Sequence, residues 1–191
     1  MSQVWPDIWF LRHGQTEWNL EGRIQGRRDS SLTALGRKQA AEQGRITGPV
    51  LDRFPQLEQR IFVSPLGRAQ ETARIALPSR AFHTDPRLAE IDTGAWEGCL
   101  RRDVAGERHG LEAYCAAPDG EGFDRLQARV RAFLTDLNGP AIVVAHGILG
   151  QVLRGTVCGL RRMDMVALSN DQGCIYQLAE GRETRLDGRE N

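Results

Sequence analysis

Three short apolar runs, each uninterrupted and each stopping at residues with chemical potential, constrain this chain most. Ile8-Trp9-Phe10-Leu11 stops at Arg12-His13-Gly14. Ile61-Phe62-Val63 stops at Ser64 and turns through Pro65-Leu66-Gly67 to Arg68. Ala141-Ile142-Val143-Val144-Ala145 stops at His146-Gly147. Such runs, lacking polar alternation, fit strands buried on both faces. Helical patterns separate them. Thr33 reads as an N-cap, followed by Gly36, Ala40 and Gly44 as a row of small residues suited to close packing on a sheet. A second helix runs from Ala69 to about Leu77. Phe123 to Leu137 is the clearest helix, with Phe123, Leu126, Val130, Phe133, Leu134 and Leu137 on one face, ended by Asn138-Gly139-Pro140. After His146-Gly147, Ile148, Leu149, Val152 and Leu153 form another buried face. Strands joined through helices are parallel, so their C-terminal ends share one edge. Arg12, His13, Ser64, Arg68 and His146 then converge on one crevice.

These residues together suit a phosphate. Arginine offers a rigid fork of donors, and histidine serves as nucleophile or proton carrier. Gly14 is expected to let a ligand approach the backbone. Arg68 stands where a strand gives way to a helix, among free amide groups that favour an anion. A cation there is itself unfavourable unless something negative lies nearby. A lone histidine after a strand is an ordinary core residue; two, each beside a glycine at a strand end, point to function.

The remaining segments are less regular. Asn19 to Ser31 reads as a polar loop near His13, without the Gly-Lys-Ser/Thr of a nucleotide P-loop. Phe82 to Thr84 reads as a third, shorter strand. Leu88 to Gly98 holds three acids, Glu90, Asp92 and Glu97, beside Trp96. Acids in such a turn cap or face solvent, or act as a general acid when an apolar ring raises the carboxyl pKa. Cys99 to Gly122 reads as a helical excursion able to cover the site, Gly173 to Leu178 as a late strand, and 182–191 as a frayed polar tail. The 191 residues are expected to form one domain.

Net charge is +0, which gives no global pull toward nucleic acid or an anionic membrane. Cys99, Cys115, Cys158 and Cys174 are scattered without a Cys-x-x-Cys pair, so free thiols are expected rather than a zinc site or disulfide framework. The chain shows no signal-peptide pattern or membrane-length apolar run, and a cytoplasmic location is expected. The pattern sets no oligomeric state.

Leu11 to Asn19 resembles the Arg-His-Gly-x-Thr-x-x-Asn signature of the histidine phosphatase superfamily, the phosphoglycerate mutase-like proteins. Gly22 to Gly26, Leu32-Thr33-x-x-Gly36, Ser64-Pro65-Leu66-x-Arg68-Ala69-x-x-Thr72-Ala73, Glu90 to Gly98 and Ala145-His146-Gly147 match in order. The resemblance implies an α/β fold: three layers, α/β/α, with a mainly parallel central sheet. It implies that His13 is the nucleophile that becomes phosphohistidine. Arg12, Arg68 and His146 would hold phosphoryl oxygens, helped by Asn19 and the amide of Gly147. Glu90 would donate a proton to the leaving oxygen, and Gln25 and Gly26 would touch substrate. It implies no metal and no cofactor. Ile148 replaces a glycine or other small residue, and Ser31 replaces a common proline; neither change removes a catalytic group.

The resemblance further implies a small phosphorylated metabolite as partner and a phosphomonoester phosphatase as activity. A cofactor-dependent phosphoglycerate mutase is the alternative, because both share the machinery; mutases of the family carry a longer cover between the glutamate and the second histidine. A non-catalytic phospho-ligand binder stands third.

Overall fold

The computed structural model describes residues 4–108 and 110–188. Six strands form one sheet in the order β3-β2-β4-β1-β5-β6: β1 (Ile8–Arg12), β2 (Ile61–Val63), β3 (His83–Thr84), β4 (Ala141–Ala145), β5 (Ile175–Ala179) and β6 (Arg182–Leu186). β3, β2, β4 and β1 are mutually parallel; β5 is antiparallel to β1, and β6 to β5. β4 is central because every residue in it is apolar and buried, so both of its faces can be covered.

The alternation of side chains along each strand sorts the core into two layers. Ile8, Phe10, Ala141 and Val143 pack with α6 (Gly122–Asp136) and α7 (Gly147–Val157). Trp9, Leu11, Ile142 and Val144 pack with α2 (Ala34–Arg53) and α3 (Gly67–Ala76). This is the expected three-layer arrangement. α7 is buried along its whole length rather than on one face, since α6, α8 (Arg162–Met165) and the sheet enclose it.

Thr33 caps α2, its hydroxyl accepting from the Gly36 amide at 3.0 Å. Gly36 and Gly44 allow close approach, though not to the sheet as expected: a Cβ at Gly36 would overlap the Gln15 carbonyl in the loop after β1, and one at Gly44 would lie 2.7 Å from the carbonyl oxygen of Ala76 at the end of α3. Gly14 has a different role from the one expected. A Cβ there would overlap the Gly36 carbonyl, so this glycine lets α2, not a ligand, approach the backbone.

Two expectations about local structure need correction. The stretch read as loop from Asn19 overlaps α1 (Glu17–Glu21), nucleated by a capping box between Thr16 and Asn19. Its five residues bury nothing, so no apolar periodicity marks them. Residues 182–186 are not frayed: they form β6, joined to β5 by a tight turn in which Glu180 and Gly181 both take positive φ. Its polar sequence suits an edge strand. Residues 189–191 of the expected tail lie outside the described residues.

Among the described residues, no helix is long and apolar enough to cross a membrane, no cluster of His, Cys, Asp or Glu has metal-binding geometry, and the four cysteines are unpaired.

Candidate active site

Sheet register assembles the site. Arg12 lies opposite Ala145, and the His13 amide continues the ladder to the Ala145 carbonyl at 3.0 Å. His13 and His146 therefore leave adjacent strands side by side, their ring centroids 5.2 Å apart. On the other flank of β4, the Ser64 amide donates to the Val144 carbonyl at 3.0 Å, which sets Ser64 at the same edge. Strands of opposite connection meet here, at the carboxyl ends, where open α/β sheets place their ligands.

A cavity of about 170 Å³ opens at this edge. Its lining includes Arg12, His13, Asn19, Gln25, Gly26, Arg68, Glu90 and Gly147, which is every site residue expected from the family resemblance except His146. His146 is fully buried and lies against His13 without lining the cavity. The wall is completed by Arg23, Arg101, Gly110, Tyr114, Ile148 and Asn170. The excursion from Cys99 to Gly122 thus does reach the site, through α4 (Arg101–Val104) and α5 (Gly110–Cys115).

His13 is held in one orientation. Its Nδ1 donates to its neighbour's carbonyl, Gly14 O, at 2.7 Å, and Arg68 Nε donates to its Nε2 at 3.3 Å. Nδ1 therefore carries the proton, and the lone pair of Nε2 accepts from Arg68. Burial pushes the His13 pKa well below the ordinary histidine value; the charges of Arg68 and Arg12 add to this, and the Gly14 bond opposes it. The His146 pKa is also driven well down, by burial first and then by Arg68, His13, Arg129 and Arg12. Both rings are therefore neutral at pH 7.

Arg68 is anchored at every nitrogen. Its guanidinium donates to the carbonyls of Gly26 at 2.8 Å and Arg28 at 2.6 Å, and to Asp29 Oδ1 at 2.9 Å. Asp29 also accepts the Gly67 amide at 2.6 Å and the Arg68 amide at 3.2 Å. This carboxylate is the negative group that a cation at a helix start requires, and it caps α3 at the same time. Sequence reasoning missed Asp29, because nothing in Arg28-Asp29-Ser30 marks a residue that caps a helix thirty-eight positions away. Tyr114 was missed too; it stands alone in an irregular segment, and burial, then Glu90, raise its pKa.

Arg12 donates to the Asn170 carbonyl, while its Nε is buried with no partner among the described residues. Gly147 leaves it room, since a Cβ there would lie 3.3 Å from the Arg12 guanidinium carbon. Asn19 Oδ1 accepts from the Thr16 amide at 3.1 Å and from Gln172 at 3.4 Å, so its NH₂ end is left for the cavity. Glu90 is 7% exposed and receives three amides. Oε1 accepts from Ile91 at 2.9 Å and Leu149 at 2.8 Å; Oε2 accepts from Ile148 at 3.1 Å. It sits at the N-terminus of α7, where orphan amides collect. The other two acids of its turn play the capping and pairing role: Asp92 accepts the Gly94 amide at 2.8 Å, and Glu97 accepts the Arg27 amide at 2.7 Å. Of the nearby arginines, Arg27 and Arg28 pair with these acids; Arg23 and Arg101 line the cavity, and Arg23 also pairs with Glu21 at 2.5 Å.

Two cationic guanidinium groups, two neutral imidazoles and a buried carboxylate around a small open cavity define a protein built to handle a phosphoryl group. Comparison with known proteins agrees. The family model of the histidine phosphatase superfamily (branch 1) matches residues 8–186, and the chain belongs to that superfamily. It is 36% identical over 170 residues to a protein of Enterobacter sp. (strain 638) named "Probable phosphoglycerate mutase GpmB", covering 80% of this chain and 75% of that one. Among solved structures it resembles the α-ribazole phosphatase of Shigella flexneri, with TM-score 0.77, 28% identity and 96% of each chain covered. It also resembles TTHB049 of Thermus thermophilus, with TM-score 0.74, 31% identity, and 95% of this chain and 99% of that one covered.

Proposed function

We propose that this protein is a phosphomonoester phosphatase working through a phosphohistidine. The observation that carries the reading is His13: a neutral imidazole lining the cavity, its Nδ1 tied to Gly14 and its Nε2 accepting from Arg68, a guanidinium that would turn to a phosphoryl oxygen when an ester binds and so release the Nε2 lone pair. In the first step the Nε2 lone pair forms a bond to phosphorus as the bond from phosphorus to the ester oxygen breaks. Glu90 takes up the acidic proton of the monoanionic ester on binding and gives it to that leaving oxygen. In the second step water attacks phosphorus, its proton passes to Glu90, and the N–P bond breaks to release inorganic phosphate. Splitting one displacement into two lowers each barrier. Arg12, Arg68, His146, Asn19 and the Gly147 amide meet the charge that spreads over the phosphoryl oxygens. The buried Nε of Arg12, unpartnered among the described residues, supports this role, since a phosphoryl oxygen would satisfy it.

The cavity is smaller than the roughly 300–1,000 Å³ of sites that enclose a drug-sized ligand. It holds a phosphoryl group and the first atoms of an ester, with the rest projecting past Gln25 and Gly26. The whole chain, 1–191, acts as one domain in this reading, and a small phosphorylated metabolite is its substrate. The mutase reading draws on the relatives' name and on Arg101 in the cavity lining, which suits a second anionic group. Phosphorus NMR of the protein with a panel of small phosphate esters, phosphoglycerates included, separates the two. Inorganic phosphate is expected to grow with the native protein and not with His13→Ala. Interconversion of phosphoglycerates without release would establish the mutase instead.

A further inference from the structure

We propose that Ser64 fixes the tautomer of His146 and so turns that histidine into a hydrogen-bond donor for the phosphoryl group; this rests on the phosphoryl-transfer reading above. Ser64 ends β2 beside the end of β4, is fully buried, and places its Oγ 2.6 Å from His146 Nε2. The Leu66 amide donates to the same Oγ at 3.2 Å and uses one of its lone pairs. A hydroxyl has one proton to give. Among the described residues, the acceptor within reach of that proton is His146 Nε2. In the opposite arrangement, Nε2–H donating to Oγ, the hydroxyl proton would be buried without a partner. The 2.6 Å separation agrees, since it fits O–H donors and falls short of the usual N–H···O range.

If Nε2 accepts, the proton of the neutral ring is on Nδ1. That nitrogen is buried and has no partner among the described residues. Its ring lies 5.2 Å from that of His13, among Arg12, Arg68 and Arg129, in a pocket of positive potential. A phosphoryl group on His13 brings the acceptor. The donor is oriented before the charge arrives, which is how such groups stabilise a transition state. Ser64 acts through His146 and is a positioning residue.

Long-range proton–nitrogen NMR of ¹⁵N-labelled protein reads the tautomer directly, and four histidines make assignment tractable, with His146→Gln as the reference. In the native protein His146 is expected to carry its proton on Nδ1, and inorganic phosphate is expected to shift that resonance. Ser64→Ala should move the proton toward Nε2 and lower kcat roughly 10–100-fold with little change in KM. Ser64→Thr, which keeps the hydroxyl, should retain the native tautomer; circular dichroism checks that each variant folds. A native His146 protonated on Nε2, an unchanged tautomer in Ser64→Ala, or an Nδ1 signal indifferent to phosphate would each overturn the proposal. Absence of turnover on any ester would sink the catalytic reading alone, because the tautomer and the phosphate shift are read without turnover.

Discussion

Replacing Glu90 by glutamine separates two jobs that the structure gives one carboxylate. The side chain is an acceptor for three amides, two of them from the first turn of α7. In Glu90→Gln the amide oxygen can take the place of Oε1 and keep the bonds from Ile91 and Leu149. Its NH₂ then faces the Ile148 amide, donor against donor, where the carboxylate accepted at 3.1 Å. A lost bond to a buried charged group costs about 1.5–3 kcal/mol, and the lost charge at the start of α7 adds about 0.3–1 kcal/mol. The expected destabilisation is about 2–4 kcal/mol, read in urea unfolding, with Tm lower by roughly 5–15 °C for a chain of this size. Catalysis should respond differently for different esters. A positioned acid contributes about 10²–10⁴-fold. An alkyl phosphate, whose leaving oxygen needs the proton, should lose that much in kcat. An aryl phosphate with a good leaving group should lose about tenfold or less. Destabilisation alone would slow both esters alike. Equal slowing would refute the proton-donor role, and stability unchanged within about 0.5 kcal/mol would refute the capping role.

Three other expectations test the surroundings. His13 and His146 are held neutral with their pKa driven below the ordinary value. Below about pH 6.5 the unfolded chain takes up protons that the native state refuses, so stability must fall as pH falls, by up to about 1.4 kcal/mol per pH unit for each ring. Urea unfolding in phosphate-free buffer between about pH 7 and 5 reads this slope, and a flat profile would mean that the rings take up protons in the native state as they do in the unfolded chain. For the same reason the acidic limb of kcat/KM, which reports the free enzyme, should lie below about pH 6.5; a limb at or above that value would show an unperturbed nucleophile. Outside the cavity lining, buried Arg154 pairs with Glu183 at 2.8 Å and stacks on Tyr176, with 3.9 Å from its guanidinium carbon to the ring centroid. Glu183→Ala should cost about 3 kcal/mol in chemical unfolding by leaving that charge without its carboxylate, while kcat stays at the native value; unchanged stability would mean that the pair contributes nothing.

What the sequence disclosed follows from what each part of the structure rests on. The runs at Ile8, Ile61 and Ala141 are legible because strands buried on both faces must be apolar throughout, and their parallel order follows from the helices between them. Register then did the rest: once Arg12 pairs with Ala145, His13 and His146 have to be neighbours. β6 was missed because an edge strand needs no apolar face, although Gly181 stood at its turn. α1 was missed because a single capped turn has no periodicity, although Thr16 and Asn19 carried the cap. Asp29 and Tyr114 left no trace, since a residue that acts through tertiary contact alone has no local pattern to show. Gly14 belongs to the motif that the pattern marks, but its small size answers to the carbonyl of Gly36 and not to a ligand.

The central claim is a covalent bond between His13 and phosphorus, and trapping that bond tests it most directly. Phosphohistidine survives alkali, so the protein mixed with a turned-over ester and quenched in base within milliseconds retains it for mass spectrometry of peptides. One phosphoryl group on His13 in the native protein, greater in Glu90→Gln if water attack is slowed, and none in His13→Ala is the predicted result. Turnover with no phosphorylated histidine, a label on another residue, or a His13→Ala protein that still releases phosphate would contradict it.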